Sequence, residues 1–204
     1  MACFIFGAGD FYGLPCAIGG EDVVIAADGG WNVCKALGLD PDLLVGDFDS
    51  LGETPDFDRI LRLPVEKDDT DMLRAVREGF DRGQREFHLL GGMGGRTDHT
   101  IANLQTLAFI AGRGGQGWLY GSGERFTAVK NGTITLEKRE KGTFSVFCLG
   151  GDASGVTIQG GQYTLSDAVL TADFPLGVSN QFTGEDVIIS VQQGCLLIGI
   201  NEKE

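Results

Sequence analysis

The chain is short of cations, histidine, paired cysteines and long apolar runs, and each shortage excludes something. Of its 204 residues 16 are Lys or Arg against 29 Asp or Glu, a formal net charge of −13. A phosphate-backbone binder needs basic surface to displace counterions, so no nucleic-acid partner is expected. Two histidines and five scattered cysteines (Cys3, Cys16, Cys34, Cys148, Cys195), with no Cys-x-x-Cys, leave a zinc site almost without ligands. Any metal should be a hard cation held by carboxylates. An odd, dispersed set of cysteines suits reduced core thiols and a cytoplasmic location better than a disulfide framework. No run of about 18 apolar residues occurs, so no membrane span is expected. The apolar start Met1–Gly7 lacks a basic flank and reads as a first strand, not a signal peptide.

Glycine is in excess: 33 residues, where an average chain of this length carries about 14. With five prolines and no Gly-X-Y period, the excess points to tight turns or to loops where backbone approaches a ligand. A 42% hydrophobic and 22% charged composition is that of a chain with a buried core, which excludes disorder and coiled coil.

The pattern changes near residue 120. Before it, Ala2–Phe6, Val23–Ala27, Leu43–Val45 and Phe87–Leu90 read as buried strands, each running into Gly or Asp. Leu73, Val76 and Phe80 predict one helix face, and Ile101, Leu104, Leu107 and Ile110 a second. Strand and helix in alternation imply an α/β domain over 1–122, three layers around a mostly parallel sheet. After it, Thr133–Glu137, Thr143–Cys148, Val156–Ile158, Val187–Val191 and Cys195–Ile200 are short Val-, Ile-, Thr- and Phe-rich runs. Asn131-Gly132, Gly150-Gly151, Gly160-Gly161 and Gln193-Gly194 mark turns between them. A C-terminal antiparallel β-sandwich over 123–204 is expected, with Phe126 and Phe174 in its core before they are ligand contacts.

Four acidic or glycine-rich clusters lie in strand-end or helix-start loops of the first part. In Gly46-Asp47-Phe48-Asp49-Ser50 an extended chain presents Asp47 and Asp49 on one side; they can share a cation, or simply form a solvated turn. Lys67-Asp68-Asp69-Thr70-Asp71 precedes a helix. Thr70 or Asp69 can cap it and the macrodipole favours the acids, but capping does not require three carboxylates. Lys67 can pair with phosphate or screen the acids. Gly91-Gly92-Met93-Gly94-Gly95-Arg96-Thr97-Asp98-His99 joins a strand to a helix, where backbone N–H groups and the Arg96 fork suit phosphate; His99 reads first as a helix-start residue. Asp28-Gly29-Gly30 is a fourth strand end, with Asp28 either a site acid or a helix cap, and Trp31 better placed for packing than for stacking on a base. In a parallel sheet these loops share one edge, so the acids with Lys67 and Arg96 describe a Mg-phosphate site.

In this order and spacing, Ala27-Asp28-Gly29-Gly30 and the three longer clusters resemble the thiamine pyrophosphokinase family, and Gly177-Val178-Ser179-Asn180 resembles its thiamine-binding segment. The resemblance runs from Ala27 to about Phe182. It implies an α/β catalytic domain binding ATP and Mg²⁺, a thiamine-binding β-sandwich, and a homodimer with active sites between subunits. It also implies pyrophosphoryl transfer from ATP to thiamine with release of AMP. By that resemblance Asp47, Asp49 and Asp71 hold Mg²⁺, with Asp28, Asp98 and Arg96 nearby as the remaining site groups. Gly29, Lys67, Asp68, Thr70, Gly94, Gly95 and His99 fall in the nucleotide-binding clusters, and Ser179 and Asn180 contact thiamine from the partner subunit. Either Asp71 or Asp98 can take the hydroxyl proton. The chain departs from the family at Trp31, where a small residue is more usual, and His99 does not occur in every branch.

Overall fold

The four apolar runs of the first part become parallel strands in the computed structural model of the protein, which describes residues 1–47, 57–63 and 69–202. Two structural units emerge: residues 1–106 with 117–122, and residues 107–116 with 123–204.

The first unit holds β1 (Cys3–Phe6), β2 (Val23–Ala27), α1 (Gly30–Ala36), β3 (Leu43–Gly46), β4 (Ile60–Arg62), α2 (Asp71–Asp81), β5 (Glu86–Leu90) and β6 (Gln116–Gly121). Its strands lie in the order β6-β5-β1-β2-β3-β4, and β5, β1, β2, β3 and β4 pair in parallel. Strand side chains alternate between faces. Phe4, Phe6, Val24, Ala26, Leu44 and Leu90 pack on one face with Cys34 of α1. On the other, Gly79 of α2 meets Cys3 Sγ and the Phe87 ring, where a Cβ would approach that ring to 2.6 Å. Both sheet faces are thus covered, which is why β1, β3 and most of β2 read as unbroken apolar runs. Burying a side chain such as Phe4 or Phe6 contributes roughly 1.5–3 kcal/mol.

Both helix faces differ from the sequence expectation. On α2 the buried residues are Met72, Ala75, Val76 and Gly79, with Leu73 and Phe80 on the flanks. Leu73 and Phe80 border the stripe, and Ala75 and Gly79 within it let the helix sit close to the sheet. On α3 (Thr97–Gly112) Ile101 is 55% exposed, whereas Asn103, Thr106, Leu107 and Ile110 are buried. The inner face is rotated onto two polar residues, so apolar periodicity alone misplaces it.

The second unit holds β7 (Glu124–Lys130), β8 (Thr133–Leu136), β9 (Thr143–Cys148), β10 (Ala153–Gln159), β11 (Leu165–Leu170), β12 (Gly177–Gln181), β13 (Val187–Ser190) and β14 (Cys195–Asn201). Strands β12, β9, β14 and β7 pair antiparallel in that order, as do β11, β10, β13 and β8. The Cys148 thiol donates to Leu170 O at 3.2 Å, from one set to the other. An α/β unit with a mostly parallel sheet followed by antiparallel β-structure is the fold class that the patterning implied. Phe126 packs against Gly199, but Phe174 is 64% exposed and not a core residue. Strands β4, β6, β7, β11 and β12 are additions to the sequence reading; β11 and β12 are largely exposed and polar, so they carry no apolar signal.

Candidate active site

Strands β1 to β4 add to one side of the sheet in chain order, and α2 then carries the chain back to β5 on the other side of β1. The carboxyl ends of β1 and β5 therefore face loops that leave in opposite directions, which is where open α/β sheets bind ligands. A cleft of about 510 Å³ lies there. Gly7, Ala8 and Gly9 after β1, Ala27 and Asp28 at the end of β2, and Asp47 after β3 line it, with Thr70, Asp71 and Met72 at the start of α2. Gly91, Gly92, Met93, Gly95 and Arg96 from the β5–α3 turn, and His99 and Asn103 from α3, complete its wall.

Each acid is held by local structure. Asp28 sits at φ +48°, in the left-handed region, with its N–H on Val45 O at 2.8 Å and its carbonyl accepting from Trp31 N at 3.1 Å. Non-glycine residues in that region cluster at functional sites; Asp tolerates it better than most. Asp47 follows β3 directly. Asp71 occupies the first turn of α2, whose cap is Thr70: its Oγ1 accepts from Leu73 N at 3.2 Å. Asp69 instead pairs with Arg77 at 3.2 Å. Of the two capping alternatives, Thr70 is the one realised.

Arg96 and Asp98 form a fork, Nη2 to Oδ2 at 2.6 Å and Nε to Oδ1 at 3.2 Å, and Asp98 Oδ1 also accepts from His99 N at 3.0 Å. The Arg96 hydrogen bond holds the Asp98 carboxyl below the usual carboxylate range, and Asp98 in turn raises the guanidinium. Both side chains are exposed, so the pair orients Arg96 more than it stabilises the fold. Asp98 does not line the cleft, nor do Gly29 and Gly94. Gly94, at φ +86°, packs against the Asp10 carboxylate and the Tyr12 hydroxyl. Asp49, Lys67 and Asp68 lie outside the described residues.

Could these groups hold a magnesium ion? Among the described residues no three His, Cys, Asp or Glu side chains come together as a self-sufficient cage. Magnesium seldom uses one: it keeps waters and takes one or two carboxylates plus substrate phosphates. Asp47 and Asp71 in one cleft, beside a glycine-rich turn, fit that mode.

Ser179 and Asn180 lie on β12 in the second unit. Ser179 is exposed at φ +58°, and its N–H donates to Ser145 Oγ at 3.0 Å. Asn180 is 5% exposed, with Oδ1 accepting from Tyr163 N and Gln181 N, both at 2.9 Å, and Nδ2 donating to Tyr163 O at 2.6 Å. Its carboxamide is thus engaged in fixing the Tyr163 backbone. Trp31 packs on Phe57, ring centroids 5.1 Å apart, as its packing reading implied.

Three cleft features escaped the sequence reading. The Gly7-Ala8-Gly9 turn follows β1, and its signal, Gly-x-Gly at a strand end, was there to be used. Met72 and Asn103 carried none, because one lies on an apolar stripe and the other inside a helix.

Comparison with known proteins bears on the same segments. The model described as thiamin pyrophosphokinase, catalytic domain, matches residues 17–113, and that described as thiamin pyrophosphokinase, vitamin B1 binding domain, matches residues 132–196. Among solved structures, a thiamine pyrophosphokinase from Bacillus subtilis aligns at 22% identity over 100% of both chains with a TM-score of 0.88. One from Geobacillus thermodenitrificans aligns at 24% identity over 100% of this chain and 99% of its own, with a TM-score of 0.86. A thiamin pyrophosphokinase from Candida albicans aligns at 15% over 99% and 89%, with a TM-score of 0.77. At these identities the likeness to solved structures is one of fold. No match is found among curated protein sequences.

Proposed function

The chain belongs to the thiamin pyrophosphokinase family, and from that premise we propose that it transfers the terminal pyrophosphoryl group of ATP to the hydroxyl of thiamine, giving thiamine diphosphate and AMP. The observation that carries this reading is one cleft at the carboxyl edge of the sheet, lined by Asp28, Asp47 and Asp71 together with the Gly91–Arg96 turn. The thiamine oxygen attacks the β-phosphorus in line. As that bond forms, the bond from the β-phosphorus to the bridging oxygen breaks, and its electron pair leaves with AMP. Such transfers are governed by positioning and charge stabilisation.

Asp47 and Asp71, with Asp49 of the same motif, would hold Mg²⁺, which when bound draws charge from the phosphate oxygens. Arg96, steadied by Asp98, offers a planar fork to the oxygens on which charge grows. Lys67 and Asp68 belong to the same nucleotide-binding role, as do Thr70, Gly95 and His99. Of the two acids that can take the hydroxyl proton, Asp71 lines the cleft, whereas Asp98 lies outside its lining with its carboxylate on Arg96; the transfer is late, since a loose transition state needs no strong base. The acidic surroundings suit a cationic thiazolium.

Thiamine is assigned to the second unit, with Ser179 as a contact and Asn180 beneath it. The homodimer is supported by Tyr163, Val169, Phe174, Leu176 and Val178, apolar side chains of that unit exposed together in one stretch of sequence, a pattern that calls for a cover. Among the described residues no helix is long and apolar enough to cross a membrane, and all five cysteines are free thiols, in keeping with a cytoplasmic enzyme.

The test is purified protein with Mg-ATP, with and without thiamine, resolving AMP from ADP by chromatography. AMP appearing only with thiamine, in step with thiamine diphosphate, is the expected result. ADP or phosphate released without thiamine would mean hydrolysis by the same acids. A thiamine-dependent melting shift without turnover would make the chain a binding module.

A further inference from the structure

The β5–α3 turn brings three successive carbonyl groups, those of Gly91, Gly92 and Met93, to the wall of a cleft assigned above to phosphate. A carbonyl oxygen facing a phosphate repels it, so their disposition matters to affinity. All three are tied to donors of the frame. Gly91 O accepts from Gly9 N at 2.8 Å and Met93 O from Asp10 N at 3.0 Å. The Gly92 carbonyl accepts from Asn103 Nδ2 at 2.7 Å. Two of these bonds are backbone to backbone and survive any side-chain change; the third depends on one residue. Among the described residues, the N–H groups of Gly92, Met93, Gly94 and Gly95 have no protein acceptor, which leaves the turn with donors for an anion.

Asn103 is an unusual occupant for its place. It lies on the inner face of α3, four residues beyond His99 and so on the same side of the helix, and is 5% exposed. An amide buried there is costly unless bonded. A Cβ on Gly92 would lie 3.0 Å from Asn103 Nδ2, so the carboxamide rests directly against the turn.

We propose that Asn103 is a positioning residue for polyphosphate recognition: by engaging the Gly92 carbonyl it fixes the turn in the form whose N–H groups receive the anion. The inference rests on the nucleotide-binding reading of this cleft and adds to it the residue that shapes the turn.

The test compares the parent chain with Asn103→Leu, which keeps the branched skeleton but lacks the donor, and with Asn103→Ala, which also lacks it and, like Leu, adds no charge beside the anion. Binding of inorganic tripolyphosphate and of ATP is measured directly, alongside KM for thiamine and the melting temperature. Loss of one buried hydrogen bond should weaken tripolyphosphate and ATP binding about tenfold in both variants, with KM for thiamine unchanged. Should Asn103→Leu not fold, the Ala variant alone reads the effect. A folded variant that binds tripolyphosphate as tightly as the parent overturns the proposal, as does an equal loss for thiamine and polyphosphate, which would mark a merely structural residue. A parent chain that fails to bind tripolyphosphate overturns it too. If tripolyphosphate binding behaves as expected but no AMP is formed from ATP and thiamine, the pyrophosphokinase reading falls and the role of Asn103 stands.

Discussion

Replacing Gly91 by Ala should cost far more than the same change at Gly38, although the two share a backbone conformation. Their φ values are +63° and +68°, so each Ala bears a left-handed strain of roughly 1–2 kcal/mol. Each also gains roughly 0.4–1 kcal/mol from a less flexible unfolded chain. A Cβ on Gly38 would meet nothing within 4 Å, and its net cost is therefore roughly 0–1.6 kcal/mol. At Gly91 the Cβ would lie 2.5 Å from Gly7 O and 3.1 Å from Gly7 C. That carbonyl cannot swing aside cheaply, since Gly7 N is bonded to Leu90 O at 2.7 Å and β1 is paired on both sides. Overpacking adds roughly 1–3 kcal/mol to that net cost, for a total of roughly 1–5 kcal/mol. Both tryptophans, Trp31 and Trp118, lie in the first unit with both glycines, so urea unfolding followed by tryptophan fluorescence reports on the right part of the chain. Equal m-values with midpoints well apart are expected. If the two variants agree within about 0.5 kcal/mol, the close approach of β1 and β5 beneath the cleft is not what requires glycine there.

Asp71→Asn keeps the size of the side chain but removes its charge; Mg-dependent turnover should fall about a hundredfold or more, while stability drops by only about 0.3–1 kcal/mol for the lost helix-dipole interaction. Near-normal turnover would remove Asp71 from the metal set. Burial between Phe4 and Tyr120 pushes the His88 imidazole below its usual 6.5, against a smaller upward pull from Glu86. The unfolded chain then takes up a proton that the folded one refuses. Stability should accordingly be full above pH 6.5 and decline as the pH falls from there toward the lower folded value. Unfolding free energies measured from pH 7.5 to 5.5 should lose that slope in His88→Gln; an unchanged slope would place the titrating group elsewhere. Asn180→Ala strips the partners from Tyr163 N and O and from Gln181 N and should destabilise the second unit by about 2–3 kcal/mol. A loss of thiamine affinity at unchanged melting temperature would instead make Asn180 a direct contact.

How much of this could be read from the letters follows from what each element buries. Strands β1, β2, β3 and β5 stood out because both sheet faces are covered, so nearly every residue in them is apolar. Strands β11 and β12 did not, because LSDAVL and GVSNQ leave most positions in water and their register is broken between Gly177 and Asn180, where Ser179 turns left-handed. Periodicity located α2 and α3 but misplaced their inner faces for opposite reasons. The α2 stripe joins Met72 and Val76 to Ala75 and Gly79, and a search for bulk passes over the two small residues. The α3 stripe includes Asn103 and Thr106, whose polarity reads as surface although Asn103 bonds to Gly92 O and Thr106 to Ala102 O.

The site was legible to the extent that its chemistry lies in loops that directly follow strands. Asp28, Asp47 and the Gly91–Arg96 turn each come within a residue of a strand end, and Asp71 opens the helix that returns the chain to β5. A parallel sheet sends all such ends to one edge, so four clusters separated by up to seventy positions in sequence converge without any one of them signalling the others. What linear reading does not supply is strand order. Only the placement of β5 beside β1, away from β4, brings the glycine-rich turn against Gly7 and Gly9 and makes their carbonyls and amides one hydrogen-bonded surface. The same placement decides which side of α3 faces the cleft. With β5 at the edge beside β4, the turn would lie beyond the acids and Asn103 would have no reason to be buried. The polar inner face of α3 is thus a consequence of sheet topology, and the Asn103 variants test that consequence at the level of ligand affinity.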